Sequence, residues 1–399
     1  MNGSSGAPLP ATADVVVVGL GGFGSATAYW LARRGVGVLG LEQFELGHVR
    51  GASHDHSRII RRSYHTPGYV ELTAEAYDAW QTVEDDSGEG LIAITGGIDF
   101  FPPDAAISAD SYRSSLDAVG VPYEWIDGAE VCRRWPQYAA GSLITPDVQA
   151  IWQAEGGIVP AGRATAVMQR LAVAHGAHLR DHIGVQALRP VGGEVDVVTD
   201  QGVVRAGRVV VAADAWTSRL LAPLGYDLPL AVTREQVSYF PHAQLDQFQP
   251  DRFPVWIWMD DPSFYGFPVY GDPTAVKAAE DCGGFEVDPD TRTFDPDATM
   301  QDRLVGFMHG LLGPGLGAPR TVTCLYTMTS DRDFLCDRLP EHPQISAVLG
   351  SGHGFKFASW FGRTLAGYAC DEPTRPELAP FSFARPSLMA PISRDAWMV

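Results

Sequence analysis

Gly19-Leu20-Gly21-Gly22-Phe23-Gly24 has the spacing of a phosphate cradle, with a carboxylate, Glu42, further along the chain. Glycines at these three places allow a tight turn, close approach of a pyrophosphate and close helix packing. A helix opening at such a turn offers free N–H groups and a partial positive charge to an anion. Glu42 stands where an acid would bond ribose hydroxyls. The pattern marks a dinucleotide site without separating FAD from NAD. The basic residues carry a second signal. Lys and Arg together number 29, yet the only lysines are Lys277 and Lys356. Arginine serves as well on a surface. A compact ammonium whose pKa shifts on burial is a different chemical tool, so each retained lysine invites a specific role.

The elements that must position these residues are legible around the cradle. Asp14-Val15-Val16-Val17-Val18 contains the continuous β-branched run of a buried parallel strand. Ser25 to Arg34 has helical apolar spacing and ends at Gly35, and Gly37 to Leu41 reads as a second strand closing at Glu42. Downstream, Ala161 to His175 reads as a helix. Val195 to Thr199 and Val203 to Ala212 read as strands joined by a turn. Ile345 to Leu349 reads as a buried strand running into Gly350-Ser351-Gly352-His353-Gly354, with a helix following through Ala369. The expected fold is mixed α/β: a Rossmann-type nucleotide domain with an inserted β-rich substrate domain. Residues 11–90, 151–220 and 321–399 are assigned to the first, and 91–150 and 221–320, rich in proline and aromatics, to the second. Val255-Trp256-Ile257-Trp258-Met259 alternates like a strand with one aromatic face, which reads either as core or as a roomy pocket wall.

Two short motifs complete the picture, Ser57-Arg58-Ile59-Ile60-Arg61 and Cys324-Leu325-Tyr326-Thr327, followed by Gly352-His353-Gly354-Phe355-Lys356-Phe357. In order and spacing the chain, from Val15 to about Pro386, resembles the monomeric sarcosine oxidase and N-methyltryptophan oxidase family of FAD amine oxidases. That resemblance implies FAD joined covalently through Cys324. It places Ser53, His54, Ser57, Gly352 and Gly354 around the cofactor, and Arg58 against the flavin ring. It implies that Arg61 and Lys356 hold a substrate carboxylate, that Tyr265 and Tyr326 face the substrate, and that Lys277 activates O2. Re-oxidation by O2 develops an anion that a fixed cation in a dry site stabilises. The implied reaction is oxidation of the C–N bond of a secondary amino acid, N-methyl or cyclic, to an imine, with hydrogen peroxide as the product from O2. A flavin dehydrogenase using another acceptor and a flavin-binding scaffold without turnover are the alternatives.

Two positions depart from the family pattern. Asp281 stands where sarcosine-oxidising members carry a histidine, and reads as a base, as a group that orients the ammonium, or as a solvated loop acid. Asp214 replaces a small residue beside the cofactor. Cys324 must ionise to bond the flavin, so cations are expected near it, with Arg320 a neighbour in sequence. Each cysteine otherwise reads as a buried thiol.

Composition narrows the partners. A formal charge of −19 disfavours nucleic acid and anionic membranes. Five scattered cysteines without a CxxC pair indicate neither a disulfide framework nor a zinc site, so no metal is expected. Met1 to Asp14 is polar, without a signal-peptide core, and reads as a disordered lead-in to a cytoplasmic protein. The expected partners are a small amino acid and O2, and the expected state is a monomer.

Overall fold

The structure is a computed structural model that describes residues 8–397. The valine run forms the strand Thr12–Val18, whose last four residues are buried. It pairs in parallel with Val38–Leu41 on one side and Gly202–Val211 on the other. Burial on both faces explains the unbroken apolar sequence. The strand starts at Thr12, so residues 12–14 are ordered sheet and not part of a lead-in; residues 1–7 lie outside the described residues.

Gly202–Val211 is long enough to bond two partners along its other edge. Its first half pairs with Glu194–Thr199 and its second half with His342–Leu349. With Val185–Val191, His178–Arg180 and Leu335–Leu339 this makes an eight-stranded sheet. The helix after the first strand spans Gly22–Arg33, starting three residues before the sequence pattern indicates. It packs between the helices Ala161–Ala174 and Ala358–Ala369.

A nine-stranded sheet gathers Gly97–Phe101, Glu124–Asp127, Gln149–Gln153 and all five strands between 231 and 286, with Arg320–Met328 as the ninth. Near one edge of this sheet, Ala231–Phe240 pairs from Ala231 to Tyr239 with Arg320–Met328. The segment bearing Cys324 therefore belongs to this second sheet. Trp256 and Trp258 point into the core beneath it, packed with Phe264, Phe100 and Phe307 of the helix Ala298–Leu312. A small third sheet joins Arg58–Ile60 to Gly157–Val159 and Ala93–Ile94. No described helix is long and apolar enough to cross a membrane.

Candidate active site

One cavity of about 860 Å³ runs from the glycine turn to Lys356. At its outer end the glycine spacing is enforced by sterics. Gly19 has φ +88°, and a Cβ on Gly24 would lie 1.8 Å from the Gly19 carbonyl oxygen. The Gly22 N–H donates to Ser53 Oγ at 2.8 Å, tying the turn to the loop before Arg58. Glu42 accepts from the Leu20 N–H at 2.9 Å and the Phe44 N–H at 3.1 Å, and His48 Nε2 lies 3.4 Å away. Burial opposes ionisation, yet His48 and these N–H groups hold the Glu42 carboxyl below its usual range.

Midway along the cavity, Arg58 organises the loop that precedes it. Its guanidinium donates to the carbonyls of Ser57 and Ala52 at 2.8 Å and of His54 at 3.0 Å. Lys277 is buried behind this loop, off the cavity wall, on the strand Val276–Asp281. Its Nζ donates to Ser57 O and Ser57 Oγ, both at 3.0 Å, and lies 2.7 Å from Asp55 Oδ2. Burial pushes the Lys277 amine down to about 8, Asp55 pulling the other way. Despite burial, Lys277 and Arg58 hold the Asp55 carboxyl far below the carboxylate range. Asp55 also accepts a short hydrogen bond from the Tyr239 hydroxyl and sits at φ +86°, in the left-handed region. A side chain accepted there marks strain offset by these contacts.

The inner end gathers charge from five segments. Arg61 Nη1 donates to Asp99 Oδ1 at 3.0 Å, and Ser63 donates to the other oxygen of Asp99. Arg332 Nη2 lies 2.6 Å from Asp281 Oδ2, and another of its nitrogens donates to the Trp397 carbonyl. Lys356 Nζ donates to the His353 carbonyl at 2.7 Å. Both the Arg61 guanidinium and the Lys356 amine lie over the Tyr64 ring, at 5.1 and 5.5 Å. The Tyr326 hydroxyl bridges Asp281 Oδ1 and the Tyr265 hydroxyl, 3.4 Å from each. Gly352, at φ +77°, leaves room for the Tyr326 ring, which a Cβ would meet at 2.7 Å. His353 stacks on Phe334 and is held neutral by burial, with Lys356 and Arg332 adding to the effect. Its Nε2 faces the Arg332 carbonyl at 3.0 Å, which requires the proton on that nitrogen.

The sequence profile of the family described as FAD dependent oxidoreductase matches residues 14–368. The chain belongs to that family. Among curated relatives, a monomeric sarcosine oxidase of Streptomyces avermitilis is 34% identical over 370 residues, 90% of this chain and 94% of the relative. An N-methyl-L-tryptophan oxidase of Yersinia pestis is 29% identical over 379 residues, 93% of this chain and 99% of the relative. Among solved structures, NikD, an amino acid oxidase essential for nikkomycin biosynthesis, matches with a TM-score of 0.82 at 29% identity, covering 94% of this chain and 98% of its own.

The cavity of this FAD-dependent oxidoreductase fits its cofactor on its own evidence. The Gly19–Gly24 turn leaves backbone exposed where any Cβ would intrude. Among the described residues, His54 Nε2 and Thr165 Oγ1 are buried polar atoms on the wall without a hydrogen-bond partner. Such orphans are costly unless a ligand satisfies them. Asp214 sits at φ +43°, and burial pushes its carboxyl up to about 6, with Thr327 opposing.

Several expectations need correction. Asp281 is neither a free base nor a solvated acid, because Arg332 is bound to it. Arg320 does not serve Cys324: it pairs with Asp272 at 3.0 Å and is largely exposed. The cations that act on Cys324 are Arg58 and Lys277, and they only offset the burial that pushes the thiol up to about 11. The wall of the oxidoreductase's cavity carries Ile257, between the two core tryptophans of its strand. The sequence reading also missed Asp55, Asp99 and Arg332. Only Asp55 left a trace, standing inside the assigned cofactor loop.

Proposed function

We propose that the chain oxidises the C–N bond of a secondary amino acid, N-methyl or cyclic, to an imine, and that O2 is reduced to hydrogen peroxide. The observation that carries this reading is the charge count at the inner end. Arg61, Arg332 and Lys356 are all buried there. Asp99 and Asp281 answer the first two, and no described carboxylate pairs with Lys356. A substrate carboxylate supplies the acid that Lys356 lacks, held by hydrogen bonds from Lys356 and Arg61 that are charge-assisted in the complex. Clamping the carboxylate fixes the α-carbon, and positioning of that kind is worth roughly 7–11 kcal/mol of a barrier. FAD, when bound, supplies the hydride acceptor.

In this reading Gly19, Gly21, Gly24, Glu42, Ser53, His54, Ser57, Gly352 and Gly354 hold the cofactor. Arg58 fixes the loop against it, and Tyr265 and Tyr326 shape the substrate pocket. Lys277 supplies the cation for O2, and Cys324 the thiolate for a covalent flavin. A polar, acidic chain of this kind works as a monomer in the cytoplasm. One observation favours a second reading, a dehydrogenase with another acceptor. Asp55 lies 2.7 Å from Lys277 and balances its charge.

The test is a panel of secondary amino acids with the purified, FAD-loaded protein, read by peroxide release and by substrate-dependent bleaching. Peroxide from an N-methyl or cyclic amino acid supports the oxidase. Bleaching without peroxide moves the assignment to the dehydrogenase, and neither response would sink both. Acid precipitation separates the cofactor question: a yellow pellet that turns colourless in Cys324→Ser assigns the covalent bond, and a colourless pellet in the parent denies it.

A further inference from the structure

A secondary amino acid carries its nitrogen as a cation near neutral pH, and only the neutral amine gives up hydride readily. The reaction therefore needs a group that takes a proton. Asp281 is the obvious carboxylate on the cavity wall, but Arg332 occupies it at 2.6 Å and the Tyr326 hydroxyl faces its other oxygen. Asp99 is spent on Arg61 and Ser63. His353 points Nε2 at the Arg332 carbonyl, and its Nδ1 faces the Tyr64 hydroxyl at 3.4 Å. Tyr64 is held protonated by burial.

That leaves Lys356. It sits on the short turn Gly354–Phe357, with one backbone carbonyl as its acceptor and Arg61 and Arg332 as charged neighbours. A buried ammonium with two cationic neighbours and no acid of its own is unstable in the empty site. Burial, with Arg61 and Arg332 adding to it and Asp281 and Asp99 opposing, pushes the amine well below its ordinary range.

We propose that Lys356 is the proton acceptor of the reaction: neutral in the empty site, it takes the substrate's ammonium proton as the substrate carboxylate lands beside it. The N–H bond of the substrate ammonium breaks and an N–H bond forms at Lys356 Nζ. The carboxylate charge stabilises the new lysine ammonium, and Arg61 and Arg332 disfavour a second cation on the substrate nitrogen. One transfer thus tightens the clamp and frees the amine lone pair, with no proton exchanged with solvent. The inference rests on the carboxylate site proposed above.

Calorimetry on the FAD-loaded protein tests it. Cyclohexanecarboxylate, which has no amine, is titrated at about pH 8 in phosphate and in Tris, whose ionisation enthalpies differ, to count protons. About one proton per site is expected to be taken from the buffer. Proline titrated into the chemically reduced protein, which cannot turn over, is expected to take up none. Lys356→Arg keeps the charge, so it is expected to bind the carboxylate without uptake. Its kcat/KM for a zwitterionic substrate is expected to climb ~10-fold per pH unit towards the free amine's pKa. Binding without uptake in the parent, or equal uptake in Lys356→Arg, would overturn the inference alone. A carboxylate that does not bind would sink the clamp and the inference with it.

Discussion

The two ends of the cavity are built in opposite ways. At the cofactor end, Gly19, Gly21, Gly24 and Glu42 lie within one βαβ stretch, and their geometry follows from local rules about turns and helix starts. At the inner end Arg61, Asp99, Asp281, Arg332 and Lys356 arrive on five separate segments. Their meaning lies in who pairs with whom. The first end tolerates almost no change of shape, whereas the second tolerates almost no change of charge.

The sharpest way to break the comparison is at Gly24. Its Cβ would lie 1.8 Å from a backbone oxygen, so Gly24→Ala is expected to cost on the order of 3 kcal/mol and most FAD binding. Thermal melting and the flavin content of the purified protein would show it. A fully loaded, undestabilised variant would mean that the turn is not steric in origin. At the other end, Arg61→Ala leaves Asp99 buried beside a lost partner. A loss of about 3 kcal/mol in stability is expected. A roughly 10- to 100-fold weaker Kd for carboxylate inhibitors should accompany it. Unchanged inhibitor binding would remove Arg61 from the clamp.

These two effects mirror what could be read before any coordinates. The first strand and helix, the later strands and the helix 161–174 followed from periodicity and glycine placement, because short-range sterics set them. The pairing of Asp281 with Arg332 did not follow. Asp281 is on a strand of the second sheet and Arg332 in the loop after Arg320–Met328, and nothing local links them. Asp55 left only its place inside the assigned cofactor loop, since its role depends on Lys277 arriving from another strand. Trp256 and Trp258 illustrate a different limit. Alternation separated their face from that of Ile257, but not which face meets the cavity.

Smaller effects sharpen the charge argument. Burial lowers the Lys277 pKa to about 8 even with Asp55 raising it, and Asp55→Asn removes that attraction. The amine should therefore lose its proton at lower pH. In the proposed role the protonated form serves O2, so the fall in re-oxidation rate with rising pH is expected to shift downward, as stopped-flow mixing with O2 would record. Lys277→Met in the same assay is expected to slow re-oxidation ~10²-fold or more, with anaerobic reduction little changed. The smallest effect belongs to Arg320→Ala. This exposed pair with Asp272 is worth under about 1 kcal/mol, and flavin content and activity should not move. A drop in covalent flavin would return Arg320 to the neighbourhood of Cys324.

The central claim is that a buried lysine with no carboxylate of its own, Lys356 beside Arg61, selects a carboxylate-bearing secondary amine. Anaerobic reduction of the FAD-loaded protein by a matched pair, an N-methyl amino acid and the same N-methylamine without its carboxylate, tests it most directly. The account predicts bleaching by the amino acid at least ~10²-fold faster than by the amine. Equal rates for the two, or bleaching by the amine alone, would contradict it.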